Sequence, residues 1–561
     1  MYSGGGVPGL FRPGLFVMGA VQSARVDGRG DRASSRRKRN SVLTFAGGAK
    51  GDFPQGLLPQ PPADSEKYIY AHRRLWILTV CSLLSFLCLA ASQFFFTTSS
   101  PWFWLLLPML APLLADYLIS LYLDGFSKDF DMKAHRRMVR RWQPASYPSV
   151  DVFLPVCGEP LEVLHNTWTY VQRMATTYRG TVRAYVLDDA AEPEVAAMAR
   201  HFGFEYVVRP NRGWFKKAGN LNHAFGITGG DHILILDADF APRADLLDEL
   251  LPHMDEDERT AIVQSPQFFR SVDRQNWIER GAGAVQELFY RSVQTSREDK
   301  DGSICVGSCA LYRREALEQI GGVSLIEHSE DMYTGFDLRG LGWKLRYVPV
   351  ALAAGVCPDT VGAFHNQQYR WCMGSLSLLT GKRFWNTPMR LTTRLCYVSG
   401  FLYYLQTALA TFVTPLIPLG LLILKPELLR AEASVLVLPS VAYVALVLPL
   451  WHRAPYRLEA WAARMMYGWS HVFAVWDVLR GREMGWKPTG SDGAKKNGMR
   501  RYWVGMIGWT GGTAVLWVVL AAWRMFTMYP PDFALMLSAG LFYAMVAGRV
   551  LVQPRSQKAT A

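Results

Sequence analysis

Charged side chains are scarce in this 561-residue chain, at 19% of positions against 50% hydrophobic ones. That balance excludes an ordinary soluble protein of this length. Acidic residues are the scarcer sign, 47 against 60 basic, for a net charge of +13. Such an excess could suit nucleic acid, but no single basic patch exists. The basic residues cluster beside hydrophobic runs, as in Arg36-Arg37-Lys38-Arg39, His72-Arg73-Arg74, Arg136-Arg137 with Arg140-Arg141, and Lys495-Lys496 with Arg500-Arg501. This is the positive-inside pattern, reinforced by attraction to anionic lipid. Membrane lipid, not nucleic acid, is the expected surrounding. Paired cysteines are lacking as well. Of the eight cysteines, Cys305 and Cys309 lie four apart, which is weak as a metal signal. Reduced thiols without disulfides are expected. No internal repeat is present. The one N-terminal apolar patch, Leu15–Val21 after Arg12, is short and broken by glycine, a poor signal peptide. The Gly-, Arg-, Ser- and Pro-rich stretch through residue 66 reads as a disordered tail.

What is present begins with six runs that approach the roughly 20 residues needed to cross a bilayer core. They are Leu75–Thr97, Trp102–Leu123, Val398–Leu424, Ala433–Trp451, Trp503–Met525 and Asp532–Val552. The loops opposite the basic clusters are short and carry few charges, namely Thr98–Pro101, Lys425–Ala431 and Tyr529–Pro531. This predicts a multi-pass protein of the plasma (inner) membrane with both termini and the large middle block in the cytoplasm. The expected layout is a basic tail over 1–66, two spans in 67–125, a cytoplasmic domain over 126–390, and an interfacial helix with two spans in 391–451. A cytoplasmic interface helix and loop follow in 452–502, then two spans in 503–553 and a tail over 554–561. No soluble domain is expected after the last span.

The middle block alternates strand-like and helix-like segments. Val150–Cys157, Arg183–Leu187, Phe204–Val208, His232–Leu236, Thr260–Gln264 and Lys344–Val350 read as strands, with helices such as Leu161–Ala175, Ala218–Ile227 and Ala244–Met254 between them. Near-continuous apolar strands separated by helices predict a mostly parallel α/β sheet covered on both faces. Ligands of such sheets bind beyond the carboxyl ends of the strands, where Asp188-Asp189 and Asp237-Ala238-Asp239 stand.

Each cluster has a chemical and a bland reading. Asp237 and Asp239, one residue apart after a buried strand, can hold a hard divalent cation against a diphosphate; alternatively they cap the next helix. Asp188-Asp189 can hydrogen-bond a base or ribose, or simply end its strand. Lys216-Lys217-Ala218-Gly219-Asn220 places a cation and a glycine at a helix start, which suits phosphate, or forms a solvated basic turn. Glu330-Asp331 follows Ser329 at a helix start; Asp331 is the candidate general base, and N-capping is the alternative. In Gln367-Gln368-Tyr369-Arg370-Trp371, Arg370 can pair bidentately with phosphate and Trp371 can stack on a sugar, or both can anchor a membrane interface. Asp116, inside the second run, is an ionisable residue in the membrane and thus functional by default, or paired with a basic neighbour.

In this order the set resembles the processive family 2 glycosyltransferases, and among them the cellulose synthase-like enzymes. The resemblance runs from about Pro148 to Gly490 and rests on Asp188-Asp189, Lys217-Ala-Gly-Asn, Asp237-Ala-Asp239, Ser329-Glu330-Asp331 and Gln367-Gln-Tyr-Arg370-Trp371. It implies a GT-A catalytic domain on a membrane channel, a nucleotide-diphosphate sugar as donor, and Mg2+ or Mn2+ as cofactor. It further implies donor contacts at Asp188, Asp189, Lys217, Asp237, Gln367 and Arg370, metal at Asp237 and Asp239, and Asp331 as base with Glu330 beside it. Val306-Gly307-Ser308 resembles the acceptor-side Cys-Gly-Ser, which with Trp371 would meet the acceptor. Trp486 and Thr489 would belong to a gating loop whose last Lys is missing, and Phe240 stands where His often follows the DxD. The product would be a β-linked polysaccharide, with UDP-glucose the leading donor, crossing the membrane with or without an extracellular or periplasmic export partner. A non-processive enzyme acting on a lipid carrier shares the acidic motifs but usually lacks Gln-x-x-Arg-Trp. Chitin- and mannan-type donors fit equally. No cyclic-dinucleotide-binding domain is seen, so regulation by that route is not expected.

Overall fold

A computed structural model describes residues 58–71, 75–99, 101–453, 455–481 and 496–551. Ten strands form in chain order: β1 Val150–Val156, β2 Val182–Asp188, β3 Glu205–Val207, β4 His232–Ile235, β5 Ala241–Pro242, β6 Thr260–Gln264, β7 Gln267–Phe269, β8 Ala310–Arg313, β9 Lys344–Tyr347 and β10 Ala353–Gly355. The main sheet has the order β3-β2-β1-β4-β8-β6-β9. All its pairings are parallel except those of β8, which runs antiparallel to both β4 and β6. A second sheet, β5-β10-β7, lies beyond the ends of β4 and β6.

Both faces of the main sheet are buried, which is why its strands read as unbroken apolar runs. Val152, Leu154 and Val156 of β1 pack with Trp168 and Val171 of the Leu161–Thr177 helix, and with Leu247 and Leu250 of the Leu246–Asp255 helix. Phe153 faces the other way and packs with Leu221 and Ala224 of the Lys216–Ile227 helix. Four strands were not expected from sequence: β5, β7, β8 and β10. β8 matters most, because it delivers Gly307 and Ser308 to the rim beside β4.

Residues 58–66, expected as the end of a tail, pack on this domain. The Ala351 N–H donates to the Lys67 carbonyl at 2.8 Å. Lys67 Nζ donates to Asp245 at 2.7 Å and also pairs with Glu249. Arg270 donates to both oxygens of Glu66, at 2.8 and 2.5 Å.

Among the described residues, five helices are long and apolar enough to cross a membrane: Leu75–Phe95, Leu107–Gly125, Leu391–Leu424, Met499–Thr527 and Pro530–Leu551. They flank the α/β domain in sequence, as expected. The sixth run is shorter, an apolar stretch of Leu438–Trp451 with a π turn at Tyr443–Val447. The Leu458–Leu479 helix buries Ala462, Ala463 and Met466 in a cluster with Trp277 and Ile278 of the α/β domain. The same cluster takes in Val546 and Val550 of the last apolar helix, and a second one packs Tyr397 and Phe401 of the Leu391–Leu424 helix on Met332 and Phe336 of the α/β domain.

Candidate active site

The carboxyl ends of β1, β2 and β4 form one rim. Asp188 closes β2 and is 1% exposed. Its Oδ1 accepts from the Ala190 N–H at 2.8 Å, and its Oδ2 from the Glu192 N–H at 2.9 Å and the Tyr206 hydroxyl at 2.8 Å. This carboxylate is occupied in turning the chain. Asp189, beside it, meets Arg209 in a fork: Nε donates to Oδ1 at 2.7 Å and Nη2 to Oδ2 at 2.6 Å.

Lys217 is the hub of the rim. Its Nζ donates to Asp237 Oδ1 at 2.5 Å and to the Gly307 carbonyl at 3.0 Å, with Glu330 Oε1 3.8 Å away. Burial alone would lower this ammonium, but Asp237 and Glu330 outweigh it and hold Lys217 raised. Its helix is pinned on both sides. Asn220 Nδ2 donates to the Leu187 carbonyl at 2.8 Å, and Asn222 exchanges bonds of 2.6 and 2.7 Å with Val323. The Lys-Ala-Gly-Asn-Leu-Asn run therefore ties β2 to the loop that leads to Ser329.

Asp237 donates its backbone N–H to Ser308 Oγ at 3.0 Å. Asp239 is pushed up to about 7 by burial first and by Asp237 next. Glu159, which sequence reasoning passed over, is raised by burial and by Asp237 and Asp188. It follows β1 directly, and a carboxylate just past a strand's carboxyl end was the signal available. Phe240 packs edge-on to Phe269 at 5.8 Å, and its ring covers Gly355.

Asp331 sits at the start of the Glu330–Gly340 helix and, among the described residues, accepts only from the adjacent Met332 N–H, at 2.8 Å. Burial first, then Glu330, push it up to about 7 against the pull of Lys217. Gly307 has φ +75°, and a Cβ there would lie 2.6 Å from Asp331 Oδ2. Glycine is thus required both by the backbone and by the close approach. Ser329 has a left-handed φ of 61° and gives no side-chain cap. Gly374 lets the next helix rest directly on it.

That helix is Val361–Thr380, capped where Thr360 Oγ1 accepts from the Ala363 N–H at 3.2 Å. Gln367, Arg370 and Trp371 fall at i, i+3 and i+4, which places them on one face. Gln367 Oε1 is buried and has no hydrogen-bond partner among the described residues. Burial lowers Arg370, against the fields of Glu330 and Asp237 that favour its charge. On the other face, the Tyr369 hydroxyl donates to Asp477 Oδ2 at 3.0 Å. Asp477 also receives Arg501 at 3.1 and 2.5 Å. Asp477 was not singled out by sequence, and Arg501 entered only as part of a basic cluster beside a hydrophobic run.

The structure thus gathers Lys217, Asp237, Gly307, Ser308, Glu330, Asp331 and Arg370 about one locus. Asp188 is turned inward, and Trp371 is half-buried on the face shared with Gln367. Trp486 and Thr489 lie outside the described residues.

Comparison with known proteins agrees with this arrangement. Residues 232–452 match the family model for glycosyl transferase family group 2. Cellulose synthase 1 of Komagataeibacter xylinus is 34% identical over 267 residues, 47% of this chain and 17% of that protein. The UDP-forming cellulose synthase catalytic subunit of Pseudomonas fluorescens (strain SBW25) is 32% identical over 299 residues, 53% of this chain and 40% of that protein. The chain spans less than half the length of these curated relatives. A solved mannosyltransferase from Pyrobaculum calidifontis, in complex with GDP-Man and Mn2+, covers 67% of this chain and 99% of its own, at 16% identity and a TM-score of 0.43. That likeness is too slight to carry an argument. The sequence matches do carry one: residues 232–452 of this chain are similar to glycosyl transferase family group 2, and about half of the chain is similar to cellulose synthases.

Proposed function

We propose that the protein is a processive inverting glycosyltransferase. It builds a β-linked polysaccharide from a nucleotide-diphosphate sugar, with UDP-glucose the leading donor, and passes the chain outward among its membrane helices. The observation that carries this reading is the convergence on Lys217 of Asp237, Gly307 and Glu330, three segments remote in sequence. A lysine held charged at that point suits a diphosphate leaving group.

The donor set at Asp237 and Asp239, with Glu159 near both, fits a hard divalent cation, Mg2+ or Mn2+. All are oxygen donors, and the crowding of Asp239 by Asp237 is what a cation relieves. Among the described residues no three such side chains form a closed metal cage. The pair therefore suits an ion whose remaining ligands are phosphate oxygens and water. Bound there, a cation supplies charge neutralisation at the departing diphosphate.

The chain's own residues do the rest. Lys217 and Arg370 bear on the diphosphate as charge accumulates on it. Asp331 takes the proton from the acceptor hydroxyl as that oxygen attacks the anomeric carbon. A carboxyl raised to about 7 is matched to this task at neutral pH. Attack opposite the leaving group turns an α-linked donor into a β-linkage. Trp371 offers a ring to the acceptor sugar at the start of the membrane helices, where Tyr403 and Tyr404 follow, their rings 5.2 Å apart.

The test is a donor panel with full-length protein in detergent, followed by linkage and chain-length analysis. A long β-linked homopolymer from one sugar nucleotide is the expected product. Single-sugar transfer to a lipid carrier would replace the processive reading, and no transfer from any donor would end it.

A further inference from the structure

Arg209 enters none of the motifs, yet its guanidinium bonds to an acid of the rim and to two backbone carbonyls beside Lys217. It follows β3 and is 1% exposed. Its guanidinium has two kinds of partner. One edge forks onto both oxygens of Asp189, at 2.7 and 2.6 Å. The remaining donors reach backbone: Nη1 to the Trp214 carbonyl at 2.6 Å and Nη2 to the Lys216 carbonyl at 3.0 Å. Between those two carbonyls the chain is strained. Phe215 and Lys216 take left-handed φ values of 46° and 48°, which L residues rarely adopt. Such strain persists only where surrounding contacts over-determine it. The turn ends at Lys217, whose Nζ lies 2.5 Å from Asp237. Gly219 completes the seat, because a Cβ there would collide with Arg209 Nη1 and the Trp214 carbonyl.

We propose that Arg209 is the positioning residue of the donor site: one guanidinium orients Asp189 toward the nucleoside and holds the strained 214–216 turn that aims Lys217 at the diphosphate. Resting on the glycosyltransferase reading, this fixes the spacing between the two halves of one donor through a side chain that touches neither. Burial makes the arrangement rigid, and the planar fork makes it specific. A lysine has one ammonium and cannot reproduce two parallel bonds to a carboxylate together with two to carbonyls.

The test uses full-length protein in detergent with a fixed Mg2+ concentration. UDP, UMP and inorganic pyrophosphate are titrated calorimetrically into wild type, Arg209→Lys and Arg209→Met, and turnover is followed against donor and acceptor separately. Both variants should weaken UDP about thirtyfold, the scale set by hydrogen bonds to charged groups. They should raise the donor KM in step, lower kcat because Lys217 is no longer aimed at the departing diphosphate, and leave the acceptor KM within about threefold. UMP and pyrophosphate should both weaken, because both halves lose their support. Full rescue by lysine would reduce Arg209 to charge balance and overturn the proposal. So would a loss confined to UMP, which would leave Lys217 independent of Arg209. Where neither variant folds, Asp189→Asn decides: the turn stays clamped, so UMP binding should fall while pyrophosphate binding survives, and a joint loss overturns the proposal. A wild type that binds no UDP and transfers no sugar is a different result, which removes the glycosyltransferase reading itself.

Discussion

Two adjacent acidic pairs stand at the rim of this site, and the chain treats them oppositely. Asp188 and Asp189 are held in place: three hydrogen bonds occupy Asp188, and a buried guanidinium forks onto Asp189, one bond to each oxygen. Glu330 and Asp331 are crowded instead. Asp331 has one bond from its neighbouring N–H and is pushed up to about 7 by burial and by Glu330. In sequence both pairs look alike, two acids at the end or start of an element. The difference teaches that a satisfied carboxylate is a fixed structural acceptor, whereas an unsatisfied one retains the proton affinity that base catalysis uses.

The comparison breaks most sharply at Asp331. Asp331→Asn should lower transfer by at least about a thousandfold, the upper range for a general base, while UDP binding stays within a few fold of wild type. The same substitution should stabilise the protein. A carboxyl raised in the fold favours the protonated state, so its contribution to stability is present at low pH and is lost as pH rises through about 7. Asparagine mimics the neutral acid, so thermal unfolding above pH 7 should show a gain on the order of 1–2 kcal/mol, a scale common for relieved functional strain. Wild-type kcat/KM should rise with pH through about 7. A flat profile, or a destabilised Asn variant, would return Asp331 to a capping role.

Gly307→Ala attacks the same pair from across the site. The added methyl would lie 2.6 Å from Asp331 Oδ2 on a backbone with φ +75°. Either Asp331 or the Val306-Gly307-Ser308 turn must move, and a misplacement of about 1 Å can cost about a hundredfold in rate. Turnover should fall by that order while far-ultraviolet circular dichroism stays unchanged. Activity near wild type would show that Asp331 has slack, contrary to the contrast drawn above.

The other pair predicts a smaller effect of a different kind. Asp188→Asn removes one of two acceptor oxygens that take three bonds. Chemical denaturation should show a loss of about 1–3 kcal/mol, the cost of leaving a buried donor unpaired. Kinetics at saturating donor should change little. A raised donor KM without lost stability would instead make Asp188 a donor contact, and the two pairs would no longer differ in kind.

How much of this was legible beforehand follows from the same distinction. The strands β1, β2, β4 and β6 showed as apolar runs because both faces of the sheet are covered, and the acids at their ends followed from position. Which acids are held in place did not show, because the partners come from afar: Arg209 lies 20 residues from Asp189. The strained turn at Phe215 and Lys216 was hidden because neither residue is glycine. β8 was missed because its pairing is with Ile235 and Gln264, both remote in sequence. The run at Ala433–Trp451 had the composition of a span but is interrupted, with a π turn at 443–447. Hydropathy records composition and not continuity.

The smallest expected effect bears on how the site meets the membrane helices. Tyr369 faces away from Arg370 and donates to Asp477, which Arg501 also holds. Asp477 lies on the Leu458–Leu479 helix and Arg501 within the Met499–Thr527 span. The bond therefore ties the Gln-x-x-Arg-Trp helix to the membrane side of the molecule. Tyr369→Phe removes one hydroxyl and leaves the Arg501–Asp477 pair intact, so Asp477 keeps a charged partner. The loss should be about 0.5–1.5 kcal/mol in stability, with kcat reduced less than threefold, since Arg370 and Trp371 are still carried on a helix that rests on Ser329. A tenfold or greater fall in kcat at unchanged donor KM would mean that this single bond sets the placement of Trp371. The crowded pair at Asp331 would then depend on the membrane helices as well as on the sheet.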